Sequence, residues 1–120
     1  MATVSSHILD SVVGDHARGI RVQLFRLSES ADKEPVFDTH ADQDGRIAEE
    51  VNVDRSSEYE LVFHSAAYFA RRADYCNPLP ADGRQIIRVV VVRLTLPDAA
   101  TKYHLPLVLS PHSYTIWWSG

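Results

Sequence analysis

Tyr103-His-Leu-Pro-Leu-Val-Leu-Ser-Pro-His-Ser-Tyr-Thr-Ile-Trp-Trp-Ser-Gly120 closes the chain with two strand-like runs around a Ser110-Pro111 break. His104 sits inside the first run, where Tyr103 and Leu105 point to the opposite face and Pro106 shares its own. Chain ends are usually polar and frayed. An end carrying Ile116, Trp117 and Trp118 is therefore expected to be tucked into a subunit interface or a pocket. A strand histidine beside a buried terminus points to a site built at an interface.

Most of the remaining chain reads as strand. Residues 88–96 are the most strand-like stretch, β-branched and apolar on both faces at the centre, which predicts an internal strand. Residues 20–27 alternate apolar Ile20, Val22 and Leu24 with Arg21 and Gln23, then lose the pattern at Phe25. Residues 35–40 and 59–63 are two more strands, and residues 42–46 form a turn in which Gly45 can take positive φ. The alanines, Tyr68-Phe69 and the basic end at Arg71 and Arg72 predict one short helix over 64–73. Residues 77–83, with two prolines and an Asp-Gly, read as a loop. Six to eight short strands with one short helix predict an all-β fold, a β-sandwich forming a single domain over 1–120. Pro106 inside a strand calls for an edge or a bulge. Burying exposed C-terminal strands in so small a domain predicts a homo-oligomer.

Composition narrows the functional classes. The 45% apolar content fits a globular chain and excludes a disordered one. A net charge of -4, with Arg71-Arg72 the only adjacent basic pair, leaves no footprint for nucleic acid. The run Val89-Val-Val-Val92 is far too short to span a bilayer. Residues 1–15 carry no basic leader, and Asp10 interrupts their apolar positions, so no cleavable signal is read and a cytoplasmic location is expected. Cys76 is the only cysteine, which excludes an internal disulfide and reads as a buried structural thiol.

Six histidines are available for chemistry. His104 reads either as a hydrogen-bonded core residue or as a functional one, and His7 precedes an apolar run. His16, His40, His64 and His112 fall in turns or at element ends, where solvated roles are expected. No histidine pair has local metal-site spacing, and phosphate loops and serine-nucleophile motifs are absent, so neither a metal nor a cofactor is expected. The remaining constellation is acid–base chemistry by histidine near neutral pH, supported by an arginine, on a small polar molecule.

Four ordered blocks carry a resemblance. Ser5-Ser-His-Ile-Leu-Asp10, Gly19-Ile-Arg-Val-Gln-Leu24, Asp44-Gly-Arg46 and Tyr103-His-Leu-Pro-Leu-Val-Leu-Ser-Pro111 resemble the transthyretin-like proteins, and within them the 5-hydroxyisourate hydrolases of urate degradation. The resemblance runs through nearly the whole chain. It implies a β-sandwich of two four-stranded sheets with one short helix, and a homotetramer, a dimer of dimers, with active sites at an interface. It also implies that His7, Arg46 and His104 are catalytic and surround a water that opens a cyclic amide of a small-molecule substrate. A histidine near neutral pKa can activate water, and an arginine can grip planar anionic oxygens.

The tail departs from that pattern. The family's hydrolases typically end Y-R-G-S, whereas this chain ends Trp117-Trp118-Ser119-Gly120. Replacing the arginine removes a fixed charge and up to five donors, and an indole supplies one N–H and an apolar face. These four residues are expected to line the substrate pocket. Two readings follow: retained 5-hydroxyisourate hydrolysis, or a pocket reshaped for a more aromatic substrate in a biosynthetic pathway. A non-catalytic small-molecule binding protein is the third.

Overall fold

The computed structural model describes residues 1–30, 32–72 and 85–119. Cys76, the 77–83 loop and Gly120 lie outside them. In chain order the elements are β1 (Ala2–Asp10), β2 (Asp15–His16), β3 (Arg21–Leu27), β4 (Lys33–His40), β5 (Arg46–Val51), β6 (Glu58–Phe63), α1 (Ser65–Arg71), β7 (Val90–Thr95), β8 (Lys102–His104), β9 (Leu107–Leu109) and β10 (Tyr114–Ile116). Strands form two sheets, as an all-β sandwich with one short helix requires.

Sheet one has β1 as its hub. Along one side β5 runs antiparallel from Ala2↔Val51 to His7↔Arg46, and β2 then takes over beside Leu9 and Asp10. Along the other side β8 runs parallel with Ser5 opposite His104, and β9 continues with Ile8 opposite Leu107 in the same residue offset. β10 pairs antiparallel outside β9. Six segments thus fill four positions across the sheet, which reconciles them with the four strands expected. The gap between β8 and β9 falls at Pro106, which has no N–H for the ladder. Leu105 N still donates to Ser5 O at 2.9 Å, and the Ser6 hydroxyl donates to Leu105 O at 2.6 Å. A break patched by a side chain accommodates this proline, rather than the edge position or bulge expected.

The second sheet has the order β4-β3-β6-β7. Its register slips between Leu24 and Phe25, where the hydrophobic alternation also fails, so the blurred sequence marks a β-bulge against β4. β7 corrects an expectation. Its apolar run predicted an internal strand, but it lies at the sheet edge with Val91 43% exposed. The run is apolar on both faces, yet within one chain only the inner face finds cover.

The core closes between the sheets, with Val4, Ile8, Leu24, Leu61, Phe63 and Leu107 fully buried. Each such side chain contributes roughly 1.5–3 kcal/mol. Helix α1 is shorter than the 64–73 stretch predicted, and Ala73 is outside the described residues. It is pinned to β1 by a buried polar cluster. The Tyr68 hydroxyl donates to Asp10 Oδ2 at 2.8 Å, Val12 N donates to Asp10 Oδ1 at 2.9 Å, and Arg72 Nη1 lies 3.3 Å from Asp10 Oδ2. Burial and the Asp10 carboxylate push the Tyr68 phenol up to about 12. Among the described residues no helix is long and apolar enough to cross a membrane.

Candidate active site

β1 alternates strictly. Ala2, Val4, Ser6, Ile8 and Asp10 are buried, and Thr3, Ser5, His7 and Leu9 point outward. Residues directly opposite across a ladder share a face. The outward face therefore gathers Arg46 and Ala48 from β5, His16 from β2, His104 from β8 and Val108 from β9. All three predicted catalytic residues meet on one sheet face, along with a third histidine.

Arg46 owes its position to the preceding turn. Asp42 Oδ1 accepts from Asp44 N at 2.9 Å and from Arg46 N at 3.0 Å. Gly45 adopts φ +69°, and a Cβ there would lie 2.5 Å from Ile8 O, 3.1 Å from Ala17 N and 3.2 Å from His16 Cβ. Only glycine fits this left-handed, crowded point. The turn hands Ile8 from β5 to β2, through Ile8 N to Gly45 O at 2.7 Å and Ala17 N to Ile8 O at 2.9 Å. It also sets Arg46 opposite His7.

His104 Nδ1 lies 2.8 Å from Ser5 Oγ. That bond fixes the ring and reserves Nε2 for a water or substrate. A cavity of about 370 Å³ opens here, lined by Ser5, Asp42, Arg46, Ala48 and His104. His7 Nε2 lies 3.1 Å from His16 Nδ1, with ring centroids 5.3 Å apart. Burial, then the Arg46 cation, then His16 hold His7 below its ordinary pKa, while a hydrogen bond to the Asp44 carbonyl pulls the other way. His7 is consequently neutral near pH 7. A larger cavity of about 500 Å³ lies beside β3 and β6, and its lining contains no histidine. Two of its lining residues, Lys33 and Arg93, are ion-paired to Glu60 at 2.8 and 2.9 Å.

The tail keeps the β9–β10 register through Ser119. Trp117 N donates to Pro106 O at 3.3 Å, Ser119 N donates to His104 O at 2.8 Å, and Ser119 bridges His104. Ser119 therefore shares the face of His104 with no shift of register, and by alternation so does Trp117. Trp118 points the other way. It lines a separate cavity of about 220 Å³ with Leu94, Thr95, Pro97, Tyr103 and Leu105, at the open edge between the sheets. The structure thus divides the predicted pocket residues between two faces, and Gly120 lies outside the described residues.

Two partners were not read from the sequence as functional. Ser5 was legible by its period-two spacing from His7, once β1 is recognised as a strand. His16 was placed at an element end, because a two-residue strand is too short to show a period. His40 and His64 belong to the other sheet's side, where they line a separate cavity with Arg21, and His64 Nε2 meets Gln23 Oε1 at 2.6 Å. Among the described residues no group of three His, Cys, Asp or Glu side chains is arranged to hold a metal.

Comparison with known proteins places this geometry in context. The HIUase/Transthyretin family model matches residues 4–118. 5-hydroxyisourate hydrolase 2 of Rhizobium meliloti (strain 1021) is 33% identical over 117 residues, covering 95% of this chain and 92% of its own. 5-hydroxyisourate hydrolase of Deinococcus radiodurans is 34% identical over 118 residues, with the same coverage. The structure of Klebsiella pneumoniae 5-hydroxyisourate hydrolase superposes with a TM-score of 0.76 at 24% identity, over the full length of both chains, a likeness of fold.

Proposed function

Since the chain belongs to the HIUase/Transthyretin family, we propose that it hydrolyses 5-hydroxyisourate, opening a cyclic amide in urate degradation. The observation that carries the reading at the site is the convergence of His104, Arg46 and His7 on one outward face of the first sheet. Curated relatives at 33% and 34% identity carry that activity in their names, which favours it over a recruited biosynthetic enzyme or a non-catalytic binder.

In the mechanism we assign, His104 Nε2 takes a proton from water, with the ring held at Nδ1 by Ser5. The water oxygen bonds to the amide carbon, the carbon–nitrogen bond breaks, and the departing nitrogen receives a proton. Arg46, fixed by the Asp42–Gly45 turn, grips the anionic oxygens of the substrate. Neutral His7, on β1 between the strands that carry Arg46 and His104, completes the acid–base set. Hydrolysis is redox-neutral and requires no redox cofactor. Trp117 and Ser119 flank the substrate, whereas Trp118 serves the sheet edge and is left out of the contact set.

Exposed apolar residues at the sheet edges favour assembly. Trp117, Trp118, Tyr114 and Val91 are 47%, 65%, 45% and 43% exposed in the single chain. Aromatic and branched residues in such numbers at sheet edges favour burial against further copies. A homotetramer, a dimer of dimers with sites at an interface, is the assembly proposed. The test is turnover by His104→Ala and Arg46→Gln with the assembly checked by light scattering. Loss of a positioned acid–base group is expected to lower kcat by roughly 10²–10⁴-fold with the oligomer intact. Unchanged turnover in His104→Ala would overturn the assigned mechanism.

A further inference from the structure

Away from the outward face of the first sheet, Arg21, His40, His64 and Arg71 gather around a cavity of about 280 Å³, with Gly19 and Tyr68 also in its lining. Arg21 and His40 stand opposite each other across β3 and β4, His64 precedes α1 and Arg71 ends it. His64 N donates to Arg21 O at 3.0 Å, which ties the start of the helix to β3. The Arg71 guanidinium lies over the Tyr68 ring, 5.6 Å from its centroid, and Nη2 donates to Arg18 O at 3.4 Å. A Cβ at Gly19 would stand 3.2 Å from Arg71 Nη1, so the glycine leaves the guanidinium its room. Among the described residues no carboxylate pairs with Arg71.

The charges around this cavity do not balance. Its lining holds no carboxylate. Asp38, beside it, is occupied by Arg21, whose Nε donates to Oδ1 at 2.9 Å and whose Nη2 donates to Oδ2 at 2.5 Å. That pair is neutral overall and leaves Arg21 Nη1 without a protein partner among the described residues. Arg71 adds a whole positive charge. The Gln23 amide orients His64: its nitrogen donates to Asp38 Oδ2 at 3.4 Å, so its oxygen faces His64 Nε2 at 2.6 Å. A carboxylate only accepts, and so does an amide oxygen. Nε2 of His64 therefore carries hydrogen in both charge states, and Nδ1 is the nitrogen that titrates. Burial first, then the Arg21 cation, hold His64 below its ordinary pKa, with Asp38 pulling upward and His40 downward. The groups facing it are Arg21 from β3, Asp38 and His40 from β4, and Tyr68 and Arg71 from the helix.

We propose that this cavity binds a tetrahedral oxyanion, a phosphate group or its analogue, gripped by Arg71 and Arg21 Nη1, with His64 Nδ1–H as a donor present only on the charged ring. Guanidinium groups match oxyanions in charge and in the fork of their donors. Donors rooted on β3, on β4 and at both ends of α1 approach from different directions. That arrangement suits the several oxygens of a tetrahedral ion better than the two of a carboxylate. An anion in the cavity offsets the arginine cations and favours the charged imidazole. Binding and protonation are then reciprocal: acid tightens the anion, and the anion makes His64 easier to protonate. None of these residues lies on the outward face of the first sheet, so the site goes beyond the hydrolase reading and does not depend on it.

The probe is sulfate, which stays a dianion between pH 5.5 and pH 8, so any pH dependence comes from the protein. Binding to the full chain is read from the NMR signals of the His64 imidazole and the Arg71 guanidinium, at constant ionic strength set with chloride. Saturable binding is expected at millimolar sulfate, tighter at pH 5.5 than at pH 8 by about fivefold or more. Arg71 is exposed, and Arg71→Gln is expected to lose the binding, with the thermal midpoint confirming that the variant is folded. His64→Asn should still bind sulfate through the arginines but with the pH dependence flattened. No saturable change at millimolar sulfate, or equal binding in Arg71→Gln, overturns the site. A pH dependence unchanged in His64→Asn overturns the role given to Nδ1. Comparing inorganic phosphate with a small phosphomonoester at pH 8 separates the two sources of the same group: a tighter ester marks an organic ligand, and equal affinity marks the free ion.

Discussion

Gly45→Ala is the substitution that most sharply tests how the turn builds the site. The left-handed φ of +69° costs an alanine roughly 1–2 kcal/mol. Its methyl would also meet Ile8 O at 2.5 Å, a backbone atom of the hub strand that cannot swing aside. Relief requires β1 and the turn to part, which weakens Ile8 N to Gly45 O or Ala17 N to Ile8 O, each net worth about 1 kcal/mol. The sum is a destabilisation of roughly 2–4 kcal/mol. Urea unfolding at fixed protomer concentration should place the midpoint lower by on the order of 1–2 M. Arg46 and His16 both root at this point, so kcat/KM should fall more than tenfold even where the variant remains folded. A variant with an unchanged midpoint and turnover would refute the claim that Gly45 is held by these contacts.

Three other outcomes follow from the same geometry. His7 sits below its ordinary pKa when folded, so above about 6.5 both states are neutral, and as pH falls through that value the unfolded chain takes the proton first. Stability should therefore drop with acidification below about 6.5, and unfolding curves of His7→Asn should show a shallower drop; equal slopes would contradict the shift. Tyr68→Phe strips a hydrogen bond from buried Asp10 and should cost roughly 1–3 kcal/mol in thermal or urea unfolding, with little change in KM. Trp117→Ala should alter KM while Trp118→Ala alters oligomer stability, because the two indoles occupy opposite faces; a KM effect confined to Trp118 would reverse the assignment of faces.

Much of this architecture is legible in local pattern, and the failures have physical causes. Residues 20–27 and 59–63 show their strands because one face, or both, is apolar, and the lost alternation at Phe25 marks a real bulge. β1 is harder to see although it is the hub. Its inward positions include Ser6 and Asp10, polar residues buried because Leu105 O, Tyr68 and Val12 N satisfy them. β7 looked internal because hydropathy records whether a face will be covered, not whether the covering chain is its own. His7, Arg46 and His104 were legible through a family resemblance, and their meeting is explained by the β1 ladder. The approach of His16 to His7 was not, since it is a contact between elements and uses space left by a glycine 29 positions later in the sequence. The tail was read as one pocket wall, but alternation in a strand necessarily sends Trp117 and Trp118 to opposite sides.

Retention of hydrolysis despite the Trp117-Trp118-Ser119 tail is decided most directly by one measurement. 5-hydroxyisourate generated in place from urate is followed by its ultraviolet absorbance, with and without the purified, unsubstituted protein. The account predicts decay accelerated in proportion to protein concentration, with the acceleration abolished by His104→Ala. Decay at the spontaneous rate at every protein concentration would contradict it.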